Sequence, residues 1–242
     1  MNRKKTKKRR IVLSLVILST ILIAGELMDI INSGYAGILS AIPDLHMDTL
    51  IAICFVIIMA TTSAVFYNHK NRVYARNKKK KIKSPSSFKF VYRYIQFSTI
   101  IVSIGSYITN ERVFFEFHNN IFLLYFGLSI AVLGLMMFVS SKITLGVHYS
   151  PCFDSFVPAD IVQEGLYKYA RHPIYFANVV LLLGMFLSTG SYWILFNVGV
   201  LSIYYLFSAI KEESVLKTQF PKYIEYIKHT NMFFPIPRHT HK

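Results

Sequence analysis

The sequence predicts an all-α protein, a polytopic helical membrane protein of about six transmembrane helices with a cytoplasmic C-terminal helical cap. Three observations predict it. Hydrophobic residues make up 53% of the 242-residue chain and the mean hydropathy is +0.41, more than a soluble domain of this size normally carries. The charges fall in blocks, leaving uncharged apolar stretches near the roughly 17–25 residues that a helix needs to cross hydrocarbon. Lysine and arginine also concentrate in every second segment between those stretches, as the positive-inside rule requires.

The apolar stretches run over residues 11–25, 50–67, 94–109, 121–140, 174–188 and 192–209. The first follows a basic tail in the manner of a signal peptide, but no small-x-small cleavage site ends it, so an uncleaved anchor is expected. The fifth and sixth are separated only by Thr189-Gly190-Ser191, which forces an antiparallel hairpin. Tyr192 and Trp193 fit an interfacial anchor at its turn. After Ala209 an apolar stripe of Leu216, Phe220, Tyr223, Ile224 and Ile227 suits a helix lying on the membrane or against the span ends. Pro221 is expected to break this region into two short helices.

Seven Lys/Arg residues lie in the N-terminal tail, ten in residues 68–93, three in 141–172 and six in 210–242; the opposite segments hold only Arg112. This places both termini in the cytoplasm: the protein is expected in the plasma or inner membrane of a bacterium, or the endoplasmic reticulum of a eukaryote. The basic loop around residues 77–83 divides the chain. Residues 1–87 form a basic tail, a two-span hairpin and the loop; residues 88–242 form a four-span region with cytoplasmic C-terminal helices and every promising polar cluster.

A net charge of +15 raises nucleic acid as a partner, but no nucleic-acid motif is present. Beside apolar spans the Lys78–Lys81 run and the basic tail set topology and lie on anionic lipid headgroups. Cys54 falls within a span and Cys152 in a cytoplasmic loop, a placement that gives neither a disulfide nor a metal-ligand spacing. No metal is expected.

The chemistry concentrates in Gly165-Leu166-Tyr167-Lys168-Tyr169-Ala170-Arg171-His172-Pro173-Ile174-Tyr175. Pro173 suits the first position of the fifth helix, and His172 before it is pushed out of helical geometry. The free N–H groups of that helix end, beside Arg171, favour an anion. A structural reading exists too, since Arg and His at a cytoplasmic helix end are common topology anchors. Glu212-Glu213 counts against it, because two carboxylates at the C-terminal end of the sixth span oppose the helix dipole and call for a cation. The hairpin returns them to the level of Arg171 and His172, so one patch offers groups for both charges of an amino-acid zwitterion.

Together with Glu212-Glu213-Ser214-Val215-Leu216, Phe220-Pro221-Lys222-Tyr223-Ile224-Glu225-Tyr226 and the closing Phe234-Pro235-Ile236-Pro237, this motif resembles the isoprenylcysteine carboxyl methyltransferase and phospholipid methyltransferase family over about residues 145–237. The resemblance implies an integral membrane enzyme that transfers a methyl group from S-adenosylmethionine to a lipid-like or isoprenoid acceptor at the cytoplasmic face. It assigns Tyr167, His172, Pro173, Ile174 and Tyr175 to the cofactor pocket, Glu212 and Glu213 to its amino end, and Ile161 and Val162 to its lining. Arg171 and His172 are the candidate catalytic pair, Arg171 either meeting the cofactor carboxylate or holding the motif together. Two departures bear on the acceptor: Ser208 stands where prenylcysteine-methylating members carry Arg, and Phe176-Ala177 replaces the usual Gly after the motif's tyrosine.

A carboxylate acceptor is ionised at pH 7 and needs no base, whereas an amine would rely on His172, His148 or a tyrosine. The absence of a dedicated base favours the carboxylate. One alternative is a nicotinamide-dependent membrane reductase of the sterol reductase type, which shares Arg-His-Pro-x-Tyr but typically has Asn where this chain has Ile174. The other is a non-enzymatic membrane protein such as a transporter, disfavoured because spans two to six carry no ionisable residue near the midplane. Asn178 and Asn197 read as interhelical glue.

Overall fold

The computed structural model describes residues 49–62, 87–109, 121–149, 157–158 and 160–235. The first apolar stretch, the basic tail, the loop at 77–83 and Cys152 lie outside the described residues. Helices occupy Thr49–Thr62 (α1), Phe88–Thr109 (α2), Ile121–Leu145 (α3), Pro173–Thr189 (α4), Tyr192–Gln219 (α5) and Lys222–His229 (α6). Short 3₁₀ turns at Gly146–His148 and Gly165–Lys168 connect α3 to α4. Extended pairing among the described residues is limited to one parallel bridge, Ala170 with Asn231.

Among the described residues, α3 and α5 are by length and composition long and apolar enough to cross a membrane, while α1 and α4 are shorter apolar helices. The 25 residues of α3 rise about 1.5 Å each, enough for a hydrocarbon core about 30 Å thick. In α2, Lys89, Arg93, Gln96 and a series of Ser and Thr residues dilute the apolar run. The outward faces are nonetheless apolar: Phe97, Phe122, Met136 and Phe207 each expose more than 60% of their surface. A hydrophobic exterior of this kind belongs in lipid.

Helices α3 and α4 touch backbone to backbone. An ideal Cβ on Gly184 would lie 2.3 Å from Ala131 N, one on Gly127 2.3 Å from Ser188 N, and one on Gly134 2.5 Å from Leu181 N. Small residues permit such an approach where apolar burial gives no preference for protein over lipid. Ala177 is fully buried, and its carbonyl lies at the Gly134 contact.

The α4–α5 hairpin closes at Gly190, whose left-handed φ of 67° ends α4 while its N–H bonds Phe186 O. Polar bonds tie neighbouring helices as expected for Asn197, whose amide donates to Ser98 Oγ at 3.1 Å and Thr99 Oγ1 at 3.3 Å, and for Asn178, which donates to Tyr205 OH at 2.7 Å.

Three sequence expectations change. The helix of the sixth apolar stretch does not stop at Ala209: α5 runs on past the apolar residues to Gln219 as one 28-residue helix. Lys211-Glu212-Glu213 are good helix formers, and the first obligatory stop is Phe220, held extended at φ −133° and ψ 101° by the proline after it. One helix, α6, therefore follows the break, and its inward face is Tyr223 and Tyr226, with Ile224 turned outward. Trp193 is buried rather than interfacial, edge-on to Tyr94 with ring centroids 6.5 Å apart.

Candidate functional site

Pro173 opens α4, and His172 caps it in a non-helical conformation at φ −125° and ψ 55°. That geometry turns the buried imidazole back over the first turn of α4. The His172 ring stacks on Tyr175 at 5.2 Å and 12°, and Tyr175 stacks on Tyr205 of α5 at 4.4 Å and 6°. The Tyr175 hydroxyl donates to Glu212 Oε1 at 2.7 Å.

Successive residues on a helix diverge by about 100°, so the two glutamates serve different neighbours. Glu212 meets Tyr175 and lies 3.7 Å from His172 Nδ1. Glu213 receives Arg171 Nε at 2.7 Å and faces His172 Nε2 at 3.3 Å, without the alignment of a hydrogen bond. Burial alone would raise the Glu213 carboxyl, but His172 and Arg171 outweigh it and hold it below the ordinary carboxylate value.

The segment after α6 crosses directly over this group. Arg171 N donates to Asn231 O and His172 N to Met232 O, both at 2.9 Å, while Asn231 N donates to Tyr169 O at 3.2 Å. The Arg171 guanidinium also donates to the carbonyls of Thr230 and Ile227. Phe233 lies against His172 at 6.0 Å, and Phe234 against Phe176 at 5.3 Å. From α6 the Tyr226 hydroxyl donates to Tyr167 O, and Thr230 Oγ1 to Tyr226 O at 2.6 Å. Burial raises the phenols of Tyr167, Tyr223 and Tyr226, so all three stay protonated at neutral pH and none supplies a base.

The structure thus brings together Arg171, His172, Tyr175, Glu212 and Glu213. Pro173 and Ile174 are buried in the first turn of α4, and Tyr167 is buried beside α6. Ile161 and Val162 sit half-buried before the 3₁₀ turn, with no side-chain hydrogen bond or ring contact to the group. Arg171 directs its donors to Glu213 and to backbone carbonyls. Ser208 is buried one turn before Glu212.

The sequence motifs give no site role to Tyr205, Tyr226, Thr230 or Phe233. Tyr205 had a readable signal, since it precedes Glu212 by seven residues and so shares its helix face. An open cleft of about 510 Å³ lies alongside, between the Gln163–Tyr169 segment and α6, with Lys168, Lys222, Glu225 and His229 on its walls. Its charges are largely engaged: Lys222 with Asp160 at 2.5 Å and His229 with Glu225 at 2.9 Å. Among the described residues no three His, Cys, Asp or Glu are grouped to hold a metal.

Comparison with known families agrees with the resemblance. Residues 122–223 match the family model of phospholipid methyltransferase, a stretch that contains all but the first residue of α3, the whole of α4 and α5, and the His172–Glu213 cluster. No curated protein matches the chain.

Proposed function

Taking residues 122–223 as a phospholipid methyltransferase-type domain, we propose that the chain catalyses S-adenosylmethionine-dependent methyl transfer to a lipid-like acceptor at the cytoplasmic face of a membrane. The observation that supports it most is the joining of two charge preferences in one buried cluster. Glu212 places a carboxylate beside the ring stack of His172 and Tyr175, next to the N-terminus of α4. S-adenosylmethionine carries an ammonium, a carboxylate and a sulfonium, and this donor set fits it. A carboxylate has about four lone-pair sites, so Glu212 can accept the ammonium while still holding the Tyr175 hydroxyl. The positive dipole end of α4 suits the cofactor carboxylate, although the N–H groups of Tyr175 and Phe176 already donate to His172 O, and the aromatic side chains beside Glu212 suit the sulfonium.

The bound cofactor would supply an electrophilic methyl group to be displaced in line. The protein's part is then alignment and exclusion of water. His172, pinned by Tyr175 on one face and approached by Phe233, orients the site, while Arg171 and Glu213 fix the segment that covers it. The exposed apolar faces of α3 and α5 let a membrane-dissolved acceptor approach sideways. A carboxylate acceptor is favoured, because the buried tyrosines stay protonated and an amine would depend on a histidine to lose its proton. With Ser208 in the position of the expected Arg, such a carboxylate is not clamped by a bidentate guanidinium pair.

Incubating the membrane-inserted protein with methyl-labelled S-adenosylmethionine and host membrane lipids should place label in the lipid fraction, where mass spectrometry identifies the product. Glu212→Gln and His172→Ala should each weaken cofactor binding by roughly ten- to hundredfold, the loss of a charge-assisted hydrogen bond on the order of 1.5–3 kcal/mol. Unchanged affinity in both variants would remove these two residues from the cofactor site.

A further inference from the structure

We infer that Tyr205 is a positioning residue for the cofactor site, acting through Tyr175 rather than by touching the cofactor's amino-acid group. The inference rests on the cofactor reading above and extends it to a residue outside the motif. Tyr175 is the link between His172 and Glu212: its ring carries the imidazole and its hydroxyl holds the carboxylate. An aromatic ring on the first turn of a helix can rotate about its side-chain bonds, and only a fixed rotamer keeps both contacts at once.

The fixing element is Tyr205. Its ring lies parallel to that of Tyr175 at 4.4 Å, on the α5 face that carries Glu212 two turns later. Tyr205 is itself held on every side the structure describes. Asn178, one turn along α4 from Tyr175, donates to its hydroxyl at 2.7 Å, Phe88 of α2 meets its ring edge-on at 6.1 Å, and only 2% of its surface is exposed. Three helices thus converge on one ring, and that ring sets the plane of the next two. Preorganisation of this kind lowers the cost of assembling a site when the ligand arrives.

A purely structural role for Tyr205 would destabilise the protein without regard to the Tyr175 hydroxyl. A positioning role makes the two residues non-additive toward the cofactor. The experiment is a double-mutant cycle on S-adenosylmethionine affinity in the full-length protein, using Tyr205→Leu, Tyr175→Phe and the pair, with thermal unfolding of each measured in parallel. Tyr205→Leu should weaken affinity about fivefold to tenfold in the parent and less than twofold in the Tyr175→Phe background. Tyr205→Phe keeps the stack and should retain affinity to within about threefold; Asn178→Ala should resemble it.

Equal losses in both backgrounds, or parent-like affinity in Tyr205→Leu, would overturn the inference while leaving the cofactor reading intact. If Tyr205→Leu does not fold, Tyr205→Phe and Asn178→Ala decide: tenfold losses in both would contradict a role carried by the ring stack. Absence of S-adenosylmethionine binding by the parent protein would defeat the cofactor reading and this inference together.

Discussion

Arg171→Met should destabilise the protein by about 3–5 kcal/mol, the range expected when one partner of a buried ion pair is removed and the other stays behind. Glu213 is 4% exposed and would keep its carboxylate without the guanidinium that now lies at 2.7 Å. The same change strips two carbonyls, those of Thr230 and Ile227, of their Arg171 donor. The double variant Arg171→Met/Glu213→Leu should recover much of the loss, because neither charge of the buried pair remains. Unfolding in detergent, monitored by helix signal, measures both. A pH series gives a second reading of the pair. The folded Glu213 carboxyl is held below its ordinary value of 4.5, so its contribution is fully present above that value and is lost as the pH falls below it, through the depressed folded-state value. In Arg171→Met this acid-side loss should shrink.

Gly184→Val should be of similar consequence. Its Cβ would stand 2.3 Å from Ala131 N and 2.7 Å from Gly127 O, and both neighbours are backbone, so no side chain can swing aside. The helices must part, giving up the packing of α3 on α4 along its length. Overpacking typically costs about 1–3 kcal/mol and occasionally more, and the rigid neighbours place this site at the upper end. Gly199→Ala is the matched control, since nothing lies within 4 Å of its added Cβ; it should be neutral or slightly stabilising through helix propensity. Equal behaviour of the two variants would mean that the α3–α4 approach is looser than described.

Much of this architecture can be read directly from the chain. The apolar stretches locate α3, α4 and α5, Pro173 marks the start of α4, and Thr189-Gly190-Ser191 marks its return. The end of α5 is not legible from hydropathy, because the chain turns polar after Ala209 without leaving the helix, and only the Phe220-Pro221 step carries a backbone reason to stop. Trp193 shows the same kind of limit: an indole beside a turn suits an interface, and only the packing of α2 against α5 shows it facing Tyr94.

For the candidate site, the motif made His172, Tyr175 and Glu212 legible as a group. The division of labour between the two glutamates was not, because it depends on the rotation of α5 about its axis. Arg171 illustrates the point, since its contacts with Glu213 and with the carbonyls of Ile227 and Thr230 depend on how α5 and α6 are placed. The glycines at 127, 134 and 184 are visible as letters, but their meaning lies in which helix they face.

The most direct measurement is equilibrium titration of the purified, membrane-reconstituted protein and its Glu212→Gln variant with S-adenosylmethionine and, separately, with a reduced nicotinamide dinucleotide. The account predicts saturable binding of S-adenosylmethionine by the parent, a roughly ten- to hundredfold loss in Glu212→Gln, and no saturable binding of the nicotinamide. Saturable nicotinamide binding with none of S-adenosylmethionine would contradict it.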